Sequence, residues 1–255
     1  GAGGSVVVSV IEAAQMLAGA GGASNRVYRH RAAGCGEPTL ATSPVIAVPT
    51  TAGTGSEGTS FATVWSEERV RKFELAHESL YPEVAVVDPK LMLGKPYGLT
   101  LATGLDALSH SVESIWNVNA NPVSARHAVA AAKAILADLA NLLSDLGNHE
   151  LRSRIAEASL DAGLAFSNTK TAIAHNLSYP ITLGWGVQHG IACSFTLPTV
   201  LRSVAGVGGF RETALKQIFG NDLGRGADDL TNFLKSLGVG LYFSSYLVFR
   251  VSDFV

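Results

Sequence analysis

Asp106 and His110 stand four residues apart in Gly104-Leu105-Asp106-Ala107-Leu108-Ser109-His110. At helical spacing, positions i and i+4 lie one above the other on one face. A carboxylate one turn before an imidazole on a mostly apolar helix is costly unless it is paired. His175 and His189 follow. His189-Gly190 precedes the apolar run Ile191-Ala192-Cys193-Ser194-Phe195, and glycine there permits close approach of another element. Three imidazoles and one carboxylate suit a divalent transition metal with a position left open for Lewis-acid chemistry.

A second segment with chemical content is Pro49-Thr50-Thr51-Ala52-Gly53-Thr54-Gly55-Ser56-Glu57. Gly53 and Gly55 let backbone approach a ligand, while Thr50, Thr51, Thr54 and Ser56 offer hydroxyl and N–H donors. Such a turn suits phosphate or an amide-bearing cofactor, although an ordinary polar loop has the same composition. The remaining histidines read as structural: His30, His77, His127 on a charged helix face beside Arg126, and His149 in a polar loop after Gly147. Cys193 reads as a buried small hydrophobe. With Cys35 as the one other cysteine, neither a disulfide framework nor a paired-cysteine metal site is expected.

The elements that must position these groups divide near residue 98. Ahead of it, Pro44 to Pro49 reads as a buried strand and Glu83 to Asp88 as another strand. Phe61 to Trp65 and Lys72 to Ala76 read as a hairpin across the charged turn Ser66 to Arg71. Ile11 to Leu17 has helical character. Beyond Leu99 the texture is helical: Pro122 to Leu146, Glu150 to Phe166, Phe210 to Phe219 and Ala227 to Leu237. The expected fold is a partial α/β domain, residues 1–98, followed by an all-α domain, residues 99–255. At 255 residues and 47% hydrophobic content the core is large. A formal charge of -2, with 16% charged residues and no basic run, argues against nucleic acid as a partner. No signal peptide is read at the start, and no apolar stretch is read as reaching the roughly 20 residues that span a bilayer. The expectation is a cytoplasmic protein with no membrane partner.

Taken in order, the threonine–glycine turn, the Asp106/His110 helix, His175 and His189-Gly190 resemble the iron-containing alcohol dehydrogenase family over roughly residues 1–240. The resemblance implies an N-terminal dinucleotide-binding α/β domain and a C-terminal helical domain, in a dehydroquinate-synthase-like architecture with the metal between them. It implies Asp106, His110, His175 and His189 as metal ligands, for Fe(II) or sometimes Zn. Gly3-Gly4-Ser5 resembles the family's pyrophosphate-binding turn. Thr50, Thr51, Gly53 and Thr54 match positions at the NADH or NADPH cofactor, and Lys72 matches a lysine near it. By family analogy the chain forms a homodimer. Within the family, Phe61 to Trp65, Lys72 to His77 and Ser178-Tyr179-Pro180-Ile181-Thr182 look most like the phosphonoacetaldehyde reductases, which make 2-hydroxyethylphosphonate.

The sequence departs from the family at several points. Tyr179 stands where many members carry a second histidine, and Val8 where an acidic residue follows the glycine turn. The strands expected before that turn are absent, and the tail after Gly240 is dissimilar, so the chain reads as truncated at both ends. In the function implied, the metal polarises a small aldehyde and reduced nicotinamide delivers hydride. Tyr179 would relay the proton, and Lys170 would attract an anionic substrate group. Two other functions are consistent with the motifs: a dehydroquinate-synthase-like lyase, and a non-catalytic metal-binding homologue.

Overall fold

The computed structural model describes residues 44–66 and 71–239. Gly3, Gly4, Ser5, the helical segment Ile11 to Leu17, and the tail from Gly240 lie outside the described residues.

The expected hairpin forms. β2 (Phe61–Ser66) pairs antiparallel with β3 (Arg71–Ala76), with Phe61 opposite Ala76 and Trp65 opposite Lys72. The apolar run bounded by Pro44 and Pro49 contributes only β1 (Ile46–Ala47), parallel to β4 (Val84–Ala85). Both strands are shorter than their apolar runs suggest, and the first is not the buried strand expected: Ala47 is buried, but Ile46 and Val48 are exposed. Proline has no N–H for a ladder, and Pro44 and Pro49 bracket the first run closely. Two bonds, from Glu83 N–H to the Val45 carbonyl and from Val86 N–H to the Ala47 carbonyl, extend the pairing by one step at each end.

From Tyr97 onward the described chain is helical. α1 (Tyr97–Trp116), α2 (Pro122–Ser144) and α3 (His149–Thr169) form its body. α4 (Ile173–Trp185), α5 (His189–Ser194), α6 (Leu197–Ser203), α7 (Gly209–Phe219) and α8 (Leu223–Ser236) follow. α2 opens on a capping box: the Asn121 side chain accepts from Val123 and Ser124 N–H, while Ser124 Oγ accepts from Asn121 N–H. Pro122 takes the first turn, where its missing N–H costs nothing. α3 begins one residue earlier than expected. Asn148 caps it, so His149 stands in the first turn rather than in a loop.

By length and composition alone, α2 is apolar enough to cross a bilayer, which the sequence reading did not anticipate. In the structure its apolar positions Ala128, Ile135, Leu139 and Leu142 are fully buried, and they share a core with Leu105, Leu108, Val112 and Ile115 of α1. Full burial of the leucine, isoleucine and valine side chains contributes about 1.5–3 kcal/mol each. This stripe holds α1 rigidly, and α1 carries Asp106 and His110.

Buried Arg152 of α3 ties the α1 entry to the rest. Its guanidinium donates to Thr100 Oγ1 (2.9 Å), the Lys95 carbonyl (3.0 Å) and the Leu146 carbonyl (3.0 Å). Lys95 Nζ, also buried, donates to Thr103 Oγ1 at 2.8 Å.

Candidate metal centre

Asp106 Oδ1 lies at the focus of three imidazoles. It is 3.8 Å from His110 Nε2, 3.5 Å from His175 Nε2 and 4.0 Å from His189 Nε2. Two of these atoms, Asp106 Oδ1 and His175 Nε2, are buried with no hydrogen-bond partner. Leaving such groups unsatisfied costs about 1–3 kcal/mol each unless something else fills the gap. These separations are longer than good hydrogen bonds. Metal–ligand bonds of about 2.1 Å in a tetrahedral arrangement put donor atoms roughly 3.4 Å apart, close to the spacing seen.

The far nitrogens of the same rings define their tautomers. His110 Nδ1 faces the Gly53 carbonyl at 3.3 Å, so it carries a proton. His175 Nδ1 donates to Glu113 Oε2. Ser178 Oγ spends its one hydrogen on the His175 carbonyl at 2.7 Å, and so accepts from His189 Nδ1 at 3.2 Å. In its neutral form each ring is therefore protonated on Nδ1, which leaves Nε2 as the atom nearest Asp106. Outer partners of this kind orient metal-binding histidines and raise their basicity.

Glu113 is the residue that sequence reasoning missed. It is fully buried on α1, seven residues after Asp106 and on the same face, and it also accepts from Ala174 N–H at 2.6 Å. One carboxylate thus fixes the start of α4 and the His175 ring together. The signal was available: Asp106, His110 and Glu113 repeat at i, i+4 and i+7.

The electrostatics favour a cation at the focus. Burial opposes charge on Asp106, but His110 and the other two imidazoles hold its carboxyl well below the usual carboxylate range. Burial pushes His110 down to about 4 despite the pull of Asp106. Burial also works against charge on His175, yet the Cys193 sulfur, Asp106 and Glu113 outweigh it and hold that ring well above 6.5. Glu113 is held low by its bond to His175 in spite of burial. A site that raises an imidazole in this way stabilises positive charge between its carboxylates.

α5 reaches α1 at Gly190. A Cβ there would meet the Ala102 carbonyl oxygen and lie 2.9 Å from the Asp106 Cβ. The glycine lets His189 close the set. The threonine–glycine turn approaches α1 in a similar way. A Cβ on Gly53 would lie 2.5 Å from the Thr103 Cβ. The close approach that Gly53 permits is thus to a helix, which delivers its carbonyl to His110. Thr50 is exposed, Thr51 and Thr54 are half-buried, and Thr54 Oγ1 bonds Ser56 Oγ at 2.7 Å. Lys72 sits in β3.

Tyr179, one turn after His175, stacks over the His189 ring with centroids 6.0 Å apart. Lys170 stands apart from the four donors. It is exposed, caps the end of α3 with a left-handed φ of 66°, and holds its Nζ 6.0 Å from the Phe61 ring centroid. Phe61 contacts Phe166 at 6.0 Å, and Phe166 stacks on His110 at 4.1 Å. Asn117 Nδ2 donates to the Lys170 and Thr171 carbonyls (3.4 and 2.9 Å) and holds this corner in place. Cys193 is fully buried as expected, but its sulfur lies among donors rather than only among apolar groups. His77 and His127 keep structural partners: His77 caps a short turn through Ser79 N–H, and His127 pairs with Asp161 at 2.8 Å.

A helical body that gathers three imidazoles around one buried carboxylate, preceded by short strands, defines a fold with an α/β part and an all-α part and a group that could hold a metal ion. The chain belongs to the iron-containing alcohol dehydrogenase family. The family's C-terminal model matches residues 100–246, and the iron-containing alcohol dehydrogenase model matches residues 1–89. The NAD-dependent methanol dehydrogenase of Bacillus methanolicus is 41% identical over 157 residues, covering 62% of this chain and 41% of that protein. The phosphonoacetaldehyde reductase of Streptomyces viridochromogenes is 37% identical over 206 residues, 78% of this chain and 51% of that one. Among solved structures, the sulfoacetaldehyde reductase of Bifidobacterium kashiwanohense in complex with NAD+ superposes with a TM-score of 0.81 at 32% identity, covering 89% of this chain and 61% of that one. The chain thus spans about half the length of the curated relatives it matches.

Proposed function

We propose that this chain carries the metal centre of an NAD(P)H-dependent alcohol dehydrogenase that reduces a small, anionic aldehyde. One observation carries this reading: three imidazole Nε2 atoms lie 3.5, 3.8 and 4.0 Å from the buried, unpartnered Asp106 Oδ1. Asp106, His110, His175 and His189 would hold the ion, either Fe(II) or Zn. When bound, the metal supplies a Lewis acid for a carbonyl oxygen, and reduced nicotinamide supplies hydride for its carbon.

The chain's own residues do the rest. Glu113, Gly53 and Ser178 hold the three rings in one tautomer. Thr50, Thr51, Gly53 and Thr54 form the edge against which the cofactor lies, assisted by Lys72, with Gly3-Gly4-Ser5 at its pyrophosphate. Residues 1–98 and 99–255 act as the cofactor-binding and metal-binding units. Tyr179, whose ring stacks on His189, would pass a proton to the product oxygen. Phe166 and Phe61 cover the outer face of His110 and exclude water from that side. The Lys170 ammonium, poised over Phe61, offers charge to an anionic substrate group. Two of the similar proteins are named for aldehydes that carry a phosphonate or a sulfonate, which supports this polarity. Phosphonoacetaldehyde, reduced to 2-hydroxyethylphosphonate, is the substrate we favour.

The test is a titration of NADH and NADPH into metal-loaded protein, following nicotinamide fluorescence, and then addition of phosphonoacetaldehyde. Saturable binding with aldehyde-dependent loss of the reduced cofactor supports the enzyme. Metal binding without nucleotide binding supports a non-catalytic homologue instead.

A further inference from the structure

Cys193 lies one turn after His189 on α5 and is fully buried. Its Sγ is 3.7 Å from Nδ1 and 3.6 Å from Nε2 of His189. A thiol is a weak donor and a weak acceptor, so hydrogen bonding is a poor reason to place one here. The ligand atoms of Asp106, His175, His189 and Cys193 all lie within 4.8 Å of one another. That mutually close group includes the sulfur and leaves out His110. Two of its members are the buried atoms without hydrogen-bond partners, Asp106 Oδ1 and His175 Nε2. Those orphaned atoms point to a ligand independently of the cysteine.

We propose that Cys193 is a further donor to the same metal, which makes the centre a mixed nitrogen, oxygen and sulfur site that favours Zn(II) or Co(II) over Fe(II). The inference rests on the metal centre proposed above. Thiolate is a softer ligand than imidazole or carboxylate and shifts preference toward Zn. The backbone fixes the sulfur's position, because Gly190 seats α5 against Ala102 of α1 and so sets the turn that carries Cys193. On binding, a metal–sulfur bond forms as the S–H bond breaks. The proton leaves to solvent and nothing is oxidised or reduced.

The experiment is an anaerobic Co(II) titration of the metal-free protein. The expected result is visible d–d bands and a near-ultraviolet thiolate-to-cobalt charge-transfer band, both saturating together. Cys193→Ser should abolish the charge-transfer band, keep the d–d bands and lower the Zn-over-Fe preference by about tenfold or more in competition. Cys193→Ala should do the same, and circular dichroism of both variants checks that they fold. Cys35→Ser, at the other cysteine, should retain the band. A d–d spectrum without charge transfer, or a band that survives in both Cys193 variants, overturns the sulfur donor and leaves the metal centre standing. Failure of the protein to bind Co(II) at all overturns both.

Discussion

Glu113 holds His175 at two points: Oε2 accepts from the ring Nδ1, and Oε1 accepts from the His175 backbone N–H at 3.4 Å. Oε1 also takes Ala174 N–H, so ring orientation and helix start share one buried carboxylate. Glu113→Gln keeps Oε1 as the acceptor for Ala174 N–H, and with it the start of α4, but sets an NH2 donor against His175 Nδ1. Loss of the negative charge weakens the basicity of His175 Nε2. Metal affinity, read by chelator competition, should fall about 10–100-fold. An unchanged affinity would show that Glu113 serves only to start the helix.

Gly190 has no space for a side chain, because a Cβ there meets the Ala102 carbonyl and crowds Asp106. Gly190→Ala should push α5 off α1, destabilise the protein by about 1–3 kcal/mol and displace His189 from the set. Thermal unfolding and metal stoichiometry should drop together. A variant with wild-type metal content would contradict the close contact.

Lys95 is a second buried charge. Burial, assisted by the Arg152 guanidinium, lowers it from 10.5 to about 7. Below pH 7 both folded and unfolded states hold the proton, and the full cost of burying the ammonium is paid. Between about pH 7 and 10.5 the unfolded chain binds one more proton than the folded one, so stability rises with pH across that window. Lys95→Met removes this dependence. Its gain in Tm should be largest below pH 7 and shrink toward pH 10. A gain that does not vary with pH would mean the ammonium is solvated.

Lys170 tests the substrate's charge. Lys170→Gln removes the ammonium and leaves a neutral polar side chain one atom shorter. KM for phosphonoacetaldehyde should rise about tenfold or more with kcat nearly constant, as expected when uniform binding is lost. KM for a neutral aldehyde of similar size should not move. Equal effects on both aldehydes would place the lysine in loop structure, through its left-handed φ, rather than in substrate binding.

The β2–β3 hairpin and helices α2 and α3 were legible in the sequence because each carries its period, and the first two carry punctuation as well: a charged turn for the hairpin and Pro122 for α2. α4 was not. Pro180 sits inside it, and a proline there removes one backbone bond and ordinarily ends a helix. α5 has six residues, too few to show a period. Asp106 and His110 were found because one helix carries both. The convergence of His175 and His189 on them came from family resemblance, since ligands on separate helices leave no spacing to read. Glu113 and Cys193 were passed over for a related reason. A second carboxylate and a lone thiol on apolar helices declare their roles only when a ring from another element lies against them.

The central claim is that Asp106, His110, His175 and His189 hold one metal ion. The most direct test is the metal content of purified protein loaded with Zn(II) or Fe(II), measured with X-ray absorption at the metal edge. The account predicts one ion per chain with imidazole scattering in its shell, and loss of that ion in Asp106→Ala with helical content retained. A wild-type chain that binds no metal, or an Asp106→Ala chain that binds it as well, would contradict it.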